Sequence, residues 1–377
     1  MKRAFQSFYF LLFFLITFSV ECQISLSKVS SFQINSLLDV SIVDYSPKND
    51  LYLGFINSPK GERIVLIDQN GKIIANERLQ GEGPNQYVSH LNCMGFSEDG
   101  NIWLQTVTHL FRYDTSLQKL ERIPFQSSVK LQIYGRKEVF PFFNQSGQDA
   151  LFSFITNPSG SNSYVPNAPF NKDLIEIFNV GEQRIKRIAP VSDRSISSKL
   201  DESLQSSMYF IVYAVDRNKQ KLYLTSRMDN EITVYDLNSG RLDSRINIRH
   251  GDFDLLNQNS ISVKDLKSSG REFLSSRNHK IYSLKGGLVA LDYVTEIPEG
   301  IFQQKKMMDP KYSNIMDPDY HKLIFFDLEK QLTDDISVPK NGELRAVLPG
   351  QKLLFKIIDP EVEEDFITYE VYQAVRK

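Results

Sequence analysis

Cysteine and tryptophan are scarce in this chain, with two Cys and one Trp in 377 residues. Two thiols allow one disulfide at most, so the fold is not a disulfide framework. There is no excess of either charge: 44 Lys and Arg stand against 46 Asp and Glu, a formal net charge of −2. With no basic block either, the electrostatic footprint of a nucleic-acid partner is missing. The five histidines, at positions 90, 109, 250, 279 and 321, are scattered and never four apart, so no zinc-binding helix can be built from them. A Gly-x-Ser-x-Gly nucleophile elbow is also lacking. Cys93 sits in the apolar run Leu91–Phe96, where a small buried thiol is the ordinary expectation.

The one long apolar run is at the start. Lys2 and Arg3 precede residues 8–20, FYFLLFFLITFSV, which are apolar apart from Thr17 and Ser19. Thirteen residues fall short of the ~20 that a membrane span needs, and a basic start before a short apolar core is the layout of a secretory signal. The expectation is an exported protein of the periplasm or cell envelope, with residues 1–22 as signal peptide and residues 23–377 as one domain. Two exits compete. Cleavage after Cys22 would use Val20 and Cys22 as the small-residue positions, whereas lipidation would make Cys22 the first residue of a lipid-anchored form. Glu21 fits the second route poorly. Contact with a membrane would come only through that lipid.

The rest is rich in what builds sheets: 41% hydrophobic residues, with 17 Tyr and 26 Phe. One grammar recurs: an apolar strand, a polar turn, a strand closing on an aromatic or aliphatic residue plus Asp, a turn, and a last strand. Residues 63–68 (RIVLID), 109–114 (HLFRYD), 173–179 (DLIEIFN), 231–236 (EITVYD) and 322–327 (KLIFFD) are the third strands of five copies, and residues 366–371 begin that of a sixth. Asn70-Gly71 after the first is a strong hairpin signal, since both turn positions favour positive φ. Asp68 to Asp114 and Asp327 to Gln373 are each 46 residues, the length of a propeller blade of ~40–50. Longer gaps carry insertions: residues 157–172 and 298–320, dense in Pro and small polar residues that cannot sit in interior strands, and the Ser-rich residues 190–207, read as a mobile loop.

Each such sheet is too narrow to bury both faces, so neighbours must stack, and a ring leaves only short edges. The sixth copy lacks an outer strand, while residues 24–34 read as an unpartnered strand. The expected fold is all-β, a six-bladed β-propeller closed by the N-terminal strand completing the last blade. Two tandem β-sandwiches are the rival, disfavoured because no Gly- or Pro-rich linker bisects the chain.

Residues 81–87, Gly-Glu-Gly-Pro-Asn-Gln-Tyr, following the first copy, give a sharper mark. With the strand–aromatic–Asp–turn–Gly-Lys pattern before them, they resemble the secreted and lipid-anchored six-bladed β-propellers of Bacteroidota, close to NHL-type and TolB-like propellers. In that group the stretch reads Gly-x-Gly-Pro-Gly-Glu-aromatic; here Asn85 and Gln86 replace the last Gly and the Glu. The resemblance implies fold and compartment and leaves activity open, because a propeller hosts enzymes, receptors and scaffolds alike.

The site candidates are modest. Gly81–Gly83 is no phosphate cradle, since Pro84 removes a donor and no helix follows; a tight crossover with Tyr87 packed between sheets is expected, with Glu82 and Asn85 near the channel mouth. Asp309, Asp317 and Asp319 could offer hard oxygens to a divalent cation such as calcium, although Asp-Pro steps also form turns. Aromatics among polar loop residues, namely Tyr164, Phe170, Phe302, Tyr312 and Tyr320, suit a carbohydrate or protein surface. The acidic residues 361, 363, 364 and 365 read as a solvated turn. The expected function is therefore a monomeric, non-catalytic binding module for a protein or carbohydrate partner, needing no cofactor. The alternative is a metal-dependent hydrolase or lactonase-like enzyme with its site in the central channel.

Overall fold

The computed structural model describes residues 24–59, 61–89, 91–106, 108–124, 138–139, 142–145, 148–154, 173–196, 211–253, 274–359 and 365–376. Strand β1 (Ile24–Asn35) comes first. The first sheet follows as β2 (Val40–Ser46), β3 (Leu51–Ser58), β4 (Gly61–Ile67) and β5 (Ile73–Glu77). The second is β6 (Leu91–Phe96), β7 (Ile102–Thr106), β8 (His109–Tyr113) and β9 (Lys119–Pro124), to which β10 (Glu138–Val139) adds parallel along β6. The third is β11 (Phe142–Gln145), β12 (Gln148–Phe154), β13 (Asp173–Asn179) and β14 (Arg184–Pro190). The fourth is β15 (Ile211–Asp216), β16 (Lys221–Ser226), β17 (Glu231–Asp236) and β18 (Leu242–Asn247). The fifth is β19 (Arg277–Ser283), β20 (Val289–Val294), β21 (His321–Phe326) and β22 (Ile336–Ser337). Last come β23 (Gly342–Leu348), β24 (Lys352–Ile357) and β25 (Phe366–Arg376), whose outer neighbour is β1.

Apart from the parallel β10 and the chain-end strand β1, the strands of each sheet run as an antiparallel meander, and local chemistry explains why the motif repeats. The Asp or Asn after the third strand folds its side chain over the next turn. Asp68 Oδ1 accepts from the Asn70 and Lys72 amides, Asp114 Oδ1 from Ser116 and Gln118, and Asp327 Oδ1 from Glu329 and Lys330. Asp236 Oδ1 accepts from Ser239, and Asn179 Oδ1 from Glu182. These are side-chain mimics of a backbone turn, available only to short acids and amides. Gly71, at φ 85°, is left-handed as the Asn-Gly pattern leads one to expect, whereas Asn70 is not.

Packing between sheets defines the architecture. Six buried apolar clusters each draw on two sheets. Val43, Leu53 and Leu66 of the first meet Met94, Leu104 and Phe111 of the second. Trp103 and Leu110 meet Phe178 of the third. Leu174 and Ile177 meet Leu222 and Tyr235 of the fourth. Val234 meets Leu291 and Ile324 of the fifth, and Ala290 and Phe325 meet Leu353 and Phe355 of the last. The circle closes where Leu354 and Tyr369 meet Ile42 and Val65. Alternate residues of a strand serve opposite neighbours: Ile42 faces the last sheet and Val43 the second. This is an all-β propeller.

Two seams join the chain's ends. β1 runs the length of β25, Ile24 opposite Arg376 and Asn35 opposite Phe366. From β25, the Tyr369 hydroxyl then reaches the first sheet, donating to Val40 O at 2.9 Å and accepting from Ile42 N at 3.1 Å. Phe32 stacks between Tyr52 and Tyr369 at 5.1 and 5.4 Å.

Two loop expectations need correction. Residues 298–320 do form an insertion, between β20 and β21, but it contains helix α1 (Glu299–Met308) and two single 3₁₀ turns. Pro298 stands at the N-cap without a side-chain cap, while Glu299 in the first turn and Lys305 and Lys306 in the last favour the helix dipole. The Ser-rich stretch is not a loose loop in its described part, since Arg194 is buried in the fourth sheet. Cys93 is half-buried, its Sγ 3.3 Å from Gln105 Oε1.

Candidate functional site

Strands β2, β15, β19 and β23 each stand at one end of their sheet's strand order, and together they surround a cavity of about 470 Å³. The equivalent strand of the second sheet, β6, is covered along that edge by β10 and contributes nothing to the lining. Volume and position are those of a ligand site at the centre of the propeller.

Backbone irregularities shape the wall. β2, β19 and β23 each carry a bulge, placing Val43, His279 and Arg345 as the extra residue. β15 runs without one. A bulge turns a side chain that regular pairing would send elsewhere, and is common beside functional sites. Arg345 is aimed across the closing seam, donating from Nε to Ile42 O at 3.1 Å and from Nη1 to Glu343 at 2.5 Å.

Charge around the cavity comes from four sheets, the first, fourth, fifth and last. Asp44 of β2 accepts from the Phe96 amide at 2.6 Å and from its neighbour Tyr45 N at 2.9 Å. Arg217, in the turn after β15, donates to Phe96 O at 3.1 Å. The first, second and fourth sheets are thus tied through one residue, Phe96. Burial pushes the Asp44 carboxyl above its usual range, against the pull of Arg217 and the two amides. Arg217, Lys280, Lys285 and Arg345 line the cavity against two acids, Asp44 and Asp216. The wall is cationic.

At the start of β21, the third strand of the fifth sheet, His321 is buried with Nδ1 at 2.7 Å from Asp292 Oδ1 and Nε2 at 3.0 Å from Ile315 O. Both partners accept, so both ring nitrogens donate. Burial opposes that charge, but Asp292 and the Ile315 carbonyl outweigh it and hold the imidazole above its ordinary value. The pair pins the insertion onto its sheet. His279 of the lining packs edge-on to His321 at 5.3 Å.

The residues singled out from sequence are mostly spoken for. Asn85 donates to Leu117 O and accepts from Lys119 N, and its carbonyl accepts from the Tyr113 hydroxyl, which makes it a clamp on the crossover. Tyr87 is buried between the first two sheets as expected, and Glu82 is exposed. Tyr312 donates to Asp317 Oδ2 at 2.7 Å, and Lys305 Nζ lies 2.5 Å from the same oxygen and 5.4 Å from the rings of Tyr312 and Tyr320. Asp317 also accepts from Asp319 N, while Asp309 accepts from Lys311 N. Among the described residues no three His, Cys, Asp or Glu side chains are placed to share a metal ion. Cys22, Tyr164 and Phe170 lie outside the described residues. Asp44, Arg217, His279 and Arg345 were not anticipated. Their signal is a charged residue inside or just after the apolar run that precedes each copy: SIVDYS, YAVDR, RNHKIYS, GELRAVL.

No protein-family model matches the chain, and no curated protein matches it in sequence. Solved structures do. A member of the DUF4221 family from Bacteroides vulgatus superposes with a TM-score of 0.65 at 11% identity, covering 95% of this chain and 100% of that one. A protein from Bacteroides fragilis described as exported gives 0.52 at 10% identity, covering 96% and 97%. At such identities the likeness is one of fold. Among the described residues no helix is long and apolar enough to cross a membrane.

Proposed function

We propose that this protein is an exported, six-bladed β-propeller acting as a monomeric binding module whose ligand enters the central channel. The observation that carries the reading is the cavity of about 470 Å³ walled by four inner strands, with charged side chains from all four of those sheets in its lining. Six sheets joined pairwise by six apolar clusters support the blade count, and the pairing of β1 with β25 supports closure by the N-terminal strand. Export rests on the basic start and short apolar run of residues 1–22. The partner is a carbohydrate, or a protein presenting a polar group to the mouth. Tyr312 and Tyr320 are engaged with Lys305, which favours the channel over that loop as the contact surface.

A second reading has one observation behind it. Asp44 lines the cavity with a carboxyl raised by burial, a property of general acids, and would suit a channel-centred hydrolase. The two part on one experiment: ligand-observed NMR with soluble saccharides and small acids, alongside lactone hydrolysis with added calcium or zinc. A binding module gives saturable binding, lost when Asn218→Trp blocks the mouth and kept in Tyr312→Ala/Tyr320→Ala. Turnover lost in Asp44→Asn or to a chelator would replace it by the enzyme.

A further inference from the structure

Resting on the channel reading, we infer that the cavity takes a small organic carboxylate and that Arg217 is its anchor. Three observations converge. The lining carries Arg217, Lys280, Lys285 and Arg345 against Asp44 and Asp216, so an anion entering the cavity meets favourable potential. The acids near Arg217 have other partners: Asp44, which feels its charge, already accepts from two backbone amides, Phe96 N and Tyr45 N, and Asp216, next to it in the chain, accepts from Lys219 N. Arg217 itself is half-buried and its guanidinium makes one hydrogen bond among the described residues, to Phe96 O.

A guanidinium has five N–H donors in a planar fork that matches the two oxygens of a carboxylate. Holding Arg217 by one of them fixes the fork without consuming it. Arg345, by contrast, is committed to Glu343 and Ile42 O. The Val215, Ala346 and Leu348 part of the wall suits the carbon skeleton behind the charge. A sugar acid and an N-acylated amino acid share that chemistry, and the experiment separates them.

Glucuronate, N-acetylglutamate, glucose and inorganic phosphate are titrated calorimetrically into the purified protein, into Arg217→Gln and Arg217→Lys, and into Asn218→Trp. At least one carboxylate saturates below about 10 mM, while glucose and phosphate do not. Arg217→Gln weakens it about tenfold or more with an unfolding midpoint close to wild type, and Arg217→Lys, which keeps the charge but loses the fork, falls between. Binding of glucuronate alone assigns a sugar acid, and of N-acetylglutamate alone an amino-acid derivative. Failure of both carboxylates, tighter binding of phosphate, or indifference to Arg217→Gln while Asn218→Trp still abolishes binding would overturn the carboxylate inference and leave the channel standing. Carboxylate binding indifferent to both changes would overturn the channel reading with it.

Discussion

Arg194 and Arg217 lie at opposite ends of the fourth sheet and show what distinguishes a structural arginine from one left available. Arg194 enters where β16 turns into β17. Its Nε contacts Asp229 at 2.6 Å, Nη1 donates to Leu224 O and Thr233 Oγ1, and Nη2 to Glu231 O. It is 1% exposed. Four of the five N–H groups are engaged and each of the three nitrogens has a partner, which offsets the cost of burying the charge. The guanidinium of Arg217, in the turn between β15 and β16, makes a single hydrogen bond among the described residues, beside an open cavity. The same side chain is a rivet at one end of the sheet and lines a cavity with most of its donors unused at the other.

The contrast can be broken most sharply at the rivet. Arg194→Met strips Asp229 of its counter-ion while leaving the acid buried, and should cost about 3–5 kcal/mol, read as a large fall in the urea midpoint. Asp229 Oδ1 already lacks a partner, and the Glu231 amide would be the carboxyl's remaining support. A loss below about 1 kcal/mol would mean that the site relaxes or admits water.

Next in size are two histidines with opposite pH behaviour. Burial depresses His250 from 6.5 to about 4, against a 2.8 Å contact from Nε2 to Asn278 Oδ1. The unfolded chain therefore binds that proton first, and stability falls as pH drops from about 6.5 toward 4, by on the order of 3 kcal/mol at the acid end. His321 is raised, so its contribution is complete below pH 6.5 and is lost as pH climbs through its folded value. Unfolding midpoints across pH 4–9 should show the alkaline decline disappear in His321→Gln, and the acid decline shrink in His250→Gln. Identical profiles for wild type and both variants would refute the assignment.

The smallest change in stability is expected at the mouth. Arg217→Gln removes one hydrogen bond and a charge near Asp44, a cost of about 1 kcal/mol, although its effect on ligand binding should be large. Destabilisation matching that of Arg194→Met would make the two arginines equivalent and dissolve the comparison.

Legibility in the sequence follows the range of the interactions. The Asp or Asn that closes each third strand works within four residues, so the repeat and the approximate strand positions could be read from it. The first strand of each sheet could not. β15, IVYAVD, sends Ile211 to one neighbour and Val212 to the other, and shows no polar face to mark it. The channel groups were hidden for a related reason. Arg217 meets Phe96 across 121 residues of chain, and Arg345 meets Ile42 across 303. Bulges at His279 and Arg345 also shift side-chain direction by one position, which alternation alone cannot announce. Helix α1 was legible in principle, from Pro298-Glu299 and Lys305-Lys306, but prolines at both ends of the insertion made the segment read as loop.

Closure of the ring is what makes a channel at all, and the single tryptophan tests it. Trp103 is buried where the second and third sheets meet, away from the β1–β25 seam. Urea unfolding of the protein and of a chain lacking residues 24–35 should be followed by Trp103 fluorescence and by far-ultraviolet circular dichroism together. A closed ring predicts one transition by both probes, shifted to lower urea by the same amount when β1 is removed. A Trp103 transition that stays put while the circular-dichroism signal moves would show sheets that fold independently, and would contradict the account.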